Sequence, residues 1–496
     1  MAKTLANIFS ETELISCKGD LNKKINNLVI DSRRVTPGSV YFALPGLRSD
    51  GRLFINEAID RGAVAIISTE SRQFALAKVT FIQVEHPRKV LAEASRRFYD
   101  EPDSDLDLIG VTGTNGKTTV SYLIKHFLSI GGESVGMLGT IQYDLGSRTV
   151  PSFRTTPESL DIYGMFAQMT SAGCRRAVME VSSHGIDQFR VHEMAFAAAV
   201  FLNLTQDHLD YHRSMENYFE TKARFFTGKT GAVPKVSVVN VDDEYGRCLL
   251  EIIPRKSRVI KFGLSAEADI RAEEIELGFS ETVFRVIWPE GESTIRTSLV
   301  GRYNVSNILA ALSVCYGMGM DLRDVVESVG QFEGVPGRME KIEGLVGINV
   351  LVDYAHTDDA LRNALEMLRS ITPGRLLVVF GCGGDRDKTK RSAMTAVVQA
   401  KADFAWATAD NPRKESQLQI FEDMRKGVCK PKCIEFVEDR RHSISLALDE
   451  AREGDSVLIA GKGHESFQEF GDTVIPFDDR QVARELIEVK NLKSDV

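Results

Sequence analysis

Residues 107–119, DLIGVTGTNGKTT, limit what this chain can fold into more than any other stretch. Leu108, Ile109 and Val111 make a short apolar run that predicts a buried strand. Gly113, Thr114, Asn115 and Gly116 follow, then Lys117, Thr118 and Thr119, and beyond them Val120, Leu123, Ile124 and Phe127 recur at helical spacing. A strand, a glycine loop and a helix in that order turn backbone N–H groups and the positive helix end toward an anion. In such a loop Lys117 reaches the terminal phosphates of a nucleotide and the Thr118 hydroxyl ligates Mg²⁺. The strict pattern G-x-x-x-x-G-K-[ST] is not met, because Val111 stands at its first glycine with Gly110 and Gly113 on either side. The competing reading is a tight strand–helix turn carrying a surface lysine.

The chain has 496 residues, too many for one ordinary core, so several domains are expected. A net charge of −9 over that length gives no reason to expect nucleic acid or an anionic membrane as partner. No apolar run approaches a membrane span, and the first residues lack the apolar core of a secretion signal, so a cytoplasmic location is expected. Seven scattered cysteines argue against a disulfide framework. Cys429 and Cys433 have no second pair or histidine near them, so no metal site is expected there.

In chain order, residues 1–102 predict a small α/β domain with strands at 27–30, 40–44, 63–67 and 79–84 and a helix over 88–99. A linker is expected at 101–104. Residues 103–336 alternate strands and helices around the glycine loop, which implies a mostly parallel sheet. A turn is expected at 301–304, before a helix over 305–316. A second linker falls at 334–337. Residues 337–496 repeat the alternation, with strands at 350–353, 376–380, 404–408 and 456–460, each followed by a polar or glycine-rich loop. Ligands gather beyond the carboxyl ends of strands in such sheets.

Several side chains at those ends could carry chemistry. Glu180 closes the run AVMEV and is a candidate Mg²⁺ ligand, or else a structural acid. His208 and His212 lie four apart in DHLDYH, without the glutamate of a zinc-protease motif. One of them as a Mg²⁺ partner is the better reading, with helix capping by Asp207 as the alternative. Lys222, in SMENYFETKARFF, reads as an ordinary solvated helix lysine. The loop at 381–391 sets Arg386, Lys388, Lys390 and Arg391 among glycines, and Arg413 follows Asn411-Pro412. Guanidinium forks suit carboxylates. With Asp410 and Glu465 available for an amine, these groups would fit a zwitterionic amino acid. Plain solvated loops fit equally well.

The glycine loop, EVSSHG, DHLDYH, GRME, DYAHT, GCGGDRDK, DNPR and AGKGHE occur in that order, and through them the whole chain resembles the Mur ligases. These are the ATP-dependent amino-acid ligases of peptidoglycan precursor synthesis. The resemblance implies a three-domain α/β fold. A central P-loop sheet is flanked by a small N-terminal α/β domain and a C-terminal Rossmann-like domain. It implies Ile30, Ser32, Leu47, Arg48 and Ser49 at the uridine diphosphate end of a UDP-sugar dipeptide. Thr155, Thr156, Ser182, Gln188 and Arg190 would contact its sugar-peptide part. ATP would lie on Gly113–Thr119, held also by Asn304, Arg338, Asp353 and His356. Thr118, Glu180 and His208 match Mg²⁺ ligands, and Lys222 matches a lysine carbamylated in the family. Arg386, Asp410, Asn411, Pro412, Arg413, Gly461 and Glu465 match a pocket for meso-diaminopimelate.

The implied reaction transfers the γ-phosphate of ATP to the side-chain carboxylate of D-glutamate, and the amine of diaminopimelate then displaces phosphate. Catalysis would rest on Lys117, Lys222 and His208. The far carboxylate of diaminopimelate would be clamped by Arg413. An arginine left unpaired by lysine would reject it. The alternatives are a lysine-adding ligase, a folylpolyglutamate synthetase and a nucleotide-binding module without catalysis. The partners expected are small molecules only, with the chain a monomer.

Overall fold

The computed structural model describes residues 3–46, 50–70, 78–279 and 281–494. Leu47, Arg48 and Ser49, expected at the uridine end of the substrate, lie outside the described residues. Compactness separates the chain into a unit of Met1–Arg271 with Leu309–Val325 and a second of Ala272–Ile308 with Val326–Val496. The helix Arg302–Gly317 runs through the division, and it begins at Arg302, inside the predicted turn.

The first unit holds two sheets. The smaller has five strands, in the order Ser16–Lys18, Thr80–Gln83, Ala65–Ser68, Ser39–Phe42, Asn27–Val29. All its neighbours run parallel except Ser16–Lys18. Alternate side chains feed opposite cores, as the two-residue period of a strand requires. Leu28, Val40, Phe42, Ile67 and Ile82 pack with Val90, Leu91 and Ala94 of the helix Pro87–Phe98. Val29, Tyr41, Ile66 and Phe81 pack with Ile55 and Ala58 of the helix Ile55–Asp60. The segment expected to be a linker is instead a packed 3₁₀ turn, Pro102–Asp105. Asp103 is buried there, and both its carboxylate oxygens accept from Arg96 Nε at 3.0 Å. An anion placed in that position needs a partner, and the preceding helix supplies one.

The larger sheet of this unit places Asp107–Thr112 between Phe196–Phe201 and Arg176–Glu180, all parallel. Val236–Asn240 and Arg258–Gly263 extend it on one side, and Val135–Leu138 on the other, again in parallel. Phe196–Phe201 is buried along its whole length, as expected of a parallel strand covered on both faces. Three strands therefore end side by side, at Thr112, Glu180 and Phe201.

In the second unit a six-stranded sheet has the order Glu340–Ile342, Asn349–Asp353, Ser456–Ala460, Leu376–Cys382, Phe404–Ala409, Ile434–Phe436. Only Glu340–Ile342 runs antiparallel to its neighbour. Leu376, Val378 and Phe380 face the helices Asp358–Ile371 and Thr389–Lys401. Leu377 and Val379 face Ile444, Leu448, Val482 and Ile487 on the opposite side. The unit is doubly wound, so its loops too gather beyond the strand ends.

Those ends are tied by one charged contact. Arg440 and Asp479 are each 0% exposed at the side chain. Arg440 Nε donates to Asp479 Oδ1 and Nη2 to Oδ2, both at 2.7 Å. Nη2 also donates to Ala460 O at 2.9 Å. Removing the cation leaves a buried carboxylate unpaired. Arg440→Met is therefore expected to lower unfolding stability by about 3–5 kcal/mol. The double change Arg440→Met with Asp479→Leu should recover most of that loss, as measured by urea denaturation.

Candidate active site

Gly110 lies inside the strand Asp107–Thr112, where a Cβ would strike the Phe225 ring, so the loop proper begins at Gly113. Gly116 has φ +90° and heads the helix Lys117–Leu128, a left-handed position that favours glycine. Asn203, just past the end of the neighbouring strand, braces the loop. Its Oδ1 accepts from Thr114 N at 3.0 Å and Asn115 N at 2.9 Å, and its Nδ2 donates to Asn115 O. Sequence reasoning missed Asn203, whose only signal was its position at a strand end. Lys117 Nζ curls back to Gly113 O and Thr114 O, each at 2.9 Å. A phosphate chain offers this ammonium anionic acceptors in place of neutral carbonyls, and the cradle fits one.

Lys222 overturns its reading as a solvated lysine. It is 1% exposed, on the helix Met215–Thr227. Its Nζ donates to Gly113 O at 3.0 Å and Thr112 Oγ1 at 3.3 Å, and lies 4.8 Å from the Tyr218 ring centroid. Burial first, and Lys117 second, push its pKa well below the usual lysine value, against a smaller opposing pull from Asp207. Burial therefore disfavours the charged ammonium at this position. Tyr218, also missed, brackets the same spot. Its ring stacks on His212 at 4.9 Å, and its hydroxyl lies 3.3 Å from Thr114 Oγ1.

Glu180 is 1% exposed and accepts from Thr140 N at 2.8 Å and Thr140 Oγ1 at 2.9 Å. Among the described residues no cationic side chain reaches it within ion-pair distance. A buried carboxylate without a cation fits a divalent ion. Around it the predicted sugar-peptide residues form one network. Thr155 Oγ1 lies 3.0 Å from Thr140 Oγ1. Thr156 Oγ1 donates to Glu180 O and accepts from Ser182 N. Arg190 Nη1 donates to Thr156 O and Nη2 to Gln188 Oε1. Among the described residues Arg190 Nε is buried without a hydrogen-bond partner.

His208 heads the short helix Leu209–His212 with φ +53°. Burial lowers its pKa, which favours the neutral imidazole that metals bind. Asp207 does not cap that helix through its side chain, which instead accepts from His208 N. His212 turns the other way, with Nε2 2.9 Å from Ser183 Oγ, so the two histidines do not form a metal pair. In the N-terminal sheet Ile30 lines a cavity of about 290 Å³ with Asp31, Arg34 and Tyr99. Ser32 does not line it, and its hydroxyl donates to Glu57 Oε2 at 2.9 Å.

The second unit holds two further groups of predicted residues. Arg338 lies over the Tyr354 ring at 4.7 Å, and its buried Nε has no hydrogen-bond partner among the described residues. Asp353 accepts from Met339 N and Ala355 N, and the His356 ring lies 4.6 Å from that of Tyr354. Asn304 does not join them through hydrogen bonds. Its Nδ2 donates to Val300 O, and its Oδ1 accepts from Asn307.

The other group is the predicted amino-acid pocket. A Cβ on Gly383 would lie 3.0 Å from Arg413 Nη1 and 3.7 Å from Arg386 Cγ, so the two arginines flank one glycine. Arg386 is exposed and has no partner among the described residues. Gly461 has φ +116°, and a Cβ there would lie 2.9 Å from Asp410 Oδ2. The Asp410 carboxylate accepts no hydrogen bond among the described residues and remains available to an amine. Glu465 is engaged already: its Oε2 accepts from Lys462 Nζ at 3.1 Å and Asn411 Nδ2 at 2.9 Å. Pro412 sits between Asn411 and Arg413 and stiffens the turn. Arg391, read as one of the pocket cations, is 1% exposed and pairs with Glu415 and Asp423. It holds the loop and does not face a ligand.

The chain matches three family models in order. These are the Mur ligase family catalytic domain at residues 24–99, the Mur ligase middle domain at 111–315 and the Mur ligase glutamate ligase domain at 337–463. It is 44% identical to a UDP-N-acetylmuramoyl-L-alanyl-D-glutamate–2,6-diaminopimelate ligase of Solibacter usitatus, over 94% of each chain. It is 42% identical to the enzyme of the same name from Geobacillus thermodenitrificans, covering 93% of this chain and 95% of that one. A solved structure of a ligase of that name superposes with a TM-score of 0.71 at 31% identity, covering 99% of this chain and 100% of the other. With its glycine loop, buried lysine and three-part α/β fold, the chain belongs to the Mur ligase family.

Proposed function

We propose that the chain is an ATP-dependent ligase that adds meso-2,6-diaminopimelate to UDP-N-acetylmuramoyl-L-alanyl-D-glutamate, in the cytoplasmic synthesis of peptidoglycan precursors. The observation that carries this reading is the pair Arg386 and Arg413 flanking Gly383, in the pocket that also holds Asp410. Anions and cations so placed suit a molecule with an ammonium and a carboxylate at each end. The names of the relatives support the same substrate. The domains are 1–102 for the uridine nucleotide, 103–336 for ATP and 337–496 for the amino acid, and the chain acts as a monomer.

A carboxylate resists amines because its leaving group would be oxide. Transfer of the γ-phosphate to the D-glutamate side chain supplies phosphate as the leaving group. The amine lone pair then forms the amide bond, phosphate departs and the amine loses a proton. Lys117 and the loop N–H groups of 113–119 stabilise the charge on the transferred group. Thr118, Glu180, His208 and a carbamate on Lys222 would hold Mg²⁺, which would neutralise phosphate charge. Thr155, Thr156, Ser182, Gln188 and Arg190 orient the dipeptide. Arg338, Asp353, His356 and Asn304 hold the nucleotide. Arg386, Asp410, Asn411, Pro412, Arg413, Gly461 and Glu465 make the amino-acid pocket.

The deciding assay is ADP release from the UDP-sugar dipeptide with diaminopimelate, with lysine, or with neither. Diaminopimelate is expected to drive turnover. A clear preference for lysine, or no substrate-dependent ADP, would overturn the proposal. Lys117→Ala should reduce ADP formation by roughly 10²–10³-fold with unfolding behaviour unchanged. Carbamylation joins Lys222 Nζ to the carbon of CO₂ and releases one proton. In ¹³C-bicarbonate the full chain should show one carbamate carbon signal. Lys222→Ala should lack it and lose turnover.

A further inference from the structure

Arg413 is not waiting unpaired for a ligand. Its Nε lies 3.2 Å from Glu469 Oε2, and its Nη1 donates to Gly384 O at 2.8 Å. The other terminal nitrogen, Nη2, makes no hydrogen bond among the described residues. Arg413 has φ +51°, so its backbone is held in a conformation that an arginine does not prefer. What holds it is the hairpin of Phe467–Phe470 and Thr473–Pro476. Arg413 N donates to Glu469 O at 2.9 Å and Gly471 N donates to Arg413 O at 2.6 Å, which lays the arginine along the hairpin edge. Asn411 Oδ1 accepts from Glu469 N at 3.1 Å. The same short segment thus fixes the arginine's backbone and supplies its counter-ion.

We propose that Glu469 is a resident counter-ion that occupies Arg413 in the empty pocket and is exchanged for the far carboxylate of the amino acid. This rests on the diaminopimelate reading of the pocket. The side chains of Arg413 and Glu469 are 23% and 35% exposed, so the pair is open enough for exchange. The exchange replaces one carboxylate on the guanidinium by another, and Glu469 returns to water. Glu469 therefore competes with diaminopimelate and weakens its binding. Toward lysine it acts in the opposite direction. A far ammonium, repelled by Arg413, is attracted by Glu469. The internal acid sets how strongly the pocket separates the two amino acids, and it makes that separation smaller than an unpaired arginine would.

Glu469→Gln keeps the shape of the side chain and both backbone hydrogen bonds to Arg413. KM for diaminopimelate should fall by roughly two- to fivefold, the factor a partly exposed ion pair is worth. The turnover number and KM for ATP should hold, and KM for lysine should rise. Loosening of the hairpin would weaken both amino acids together, so the opposite signs separate the proposal from a structural role. In an Arg413→Ala background the Glu469→Gln change should leave KM for diaminopimelate unaltered. If Arg413→Ala raises that KM while Glu469→Gln leaves it unchanged or raises it, the proposal falls and the pocket reading stands. If Arg413→Ala has no effect on it, both fall.

Discussion

A lysine ammonium taken out of water governs the arrangement of the first unit. Lys222 Nζ rests on the carbonyl of Gly113 and the hydroxyl of Thr112, at the point where the central strand becomes the glycine loop. Burying a cation there is costly unless it sheds its charge or gains an anion. Desolvation favours the neutral form, which donates to Gly113 O. A carbamate formed there would be an anion, suited to a divalent ion. Either way the position demands the helix Met215–Thr227 packed through Tyr218, Phe225 and Phe226, because only a closed wall excludes water from it.

Parallel strands make such a position possible. Thr112, Glu180 and Phe201 end neighbouring strands, so residues about 90 apart in the chain fall within hydrogen-bond reach, as Thr114 and Asn203 do. The predicted sugar-peptide residues come from three separate stretches, yet they meet in one network around Thr156 and Glu180. The second unit uses the same geometry with a different charge pattern. Its strand ends are tied by Arg440 and Asp479, and the loops beyond them carry Asp410, Arg413 and Glu465.

Much of this was legible in the chain. The strand 456–460 falls where its apolar run places it, and the glycine loop lies between the strand and helix that flank it in sequence. Apolar period and glycine position are local properties, and the backbone obeys them directly. The partner of a charged side chain is not local. Lys222 reads as solvated from its neighbours, but its partners Thr112 and Gly113 lie 110 and 109 residues away in the chain. Arg391 reads as a ligand arginine until Glu415 and Asp423 are found beside it. The segment 101–104 reads as a linker because the ion pair of Asp103 with Arg96 leaves no composition signal.

The sequence by itself determined the order of elements, the mostly parallel sheets and the family, because eight motifs in fixed order are far more specific than any one of them. It also named most of the polar groups that line the strand ends. Only the tertiary structure decided which of those groups are free to act. The Asp410 carboxylate accepts no hydrogen bond among the described residues while Glu465 pairs with Lys462, and Arg413 meets Glu469 before any ligand arrives. The physical reason is that a charge is defined by what surrounds it. Those surroundings are assembled by folding from residues far apart in the chain.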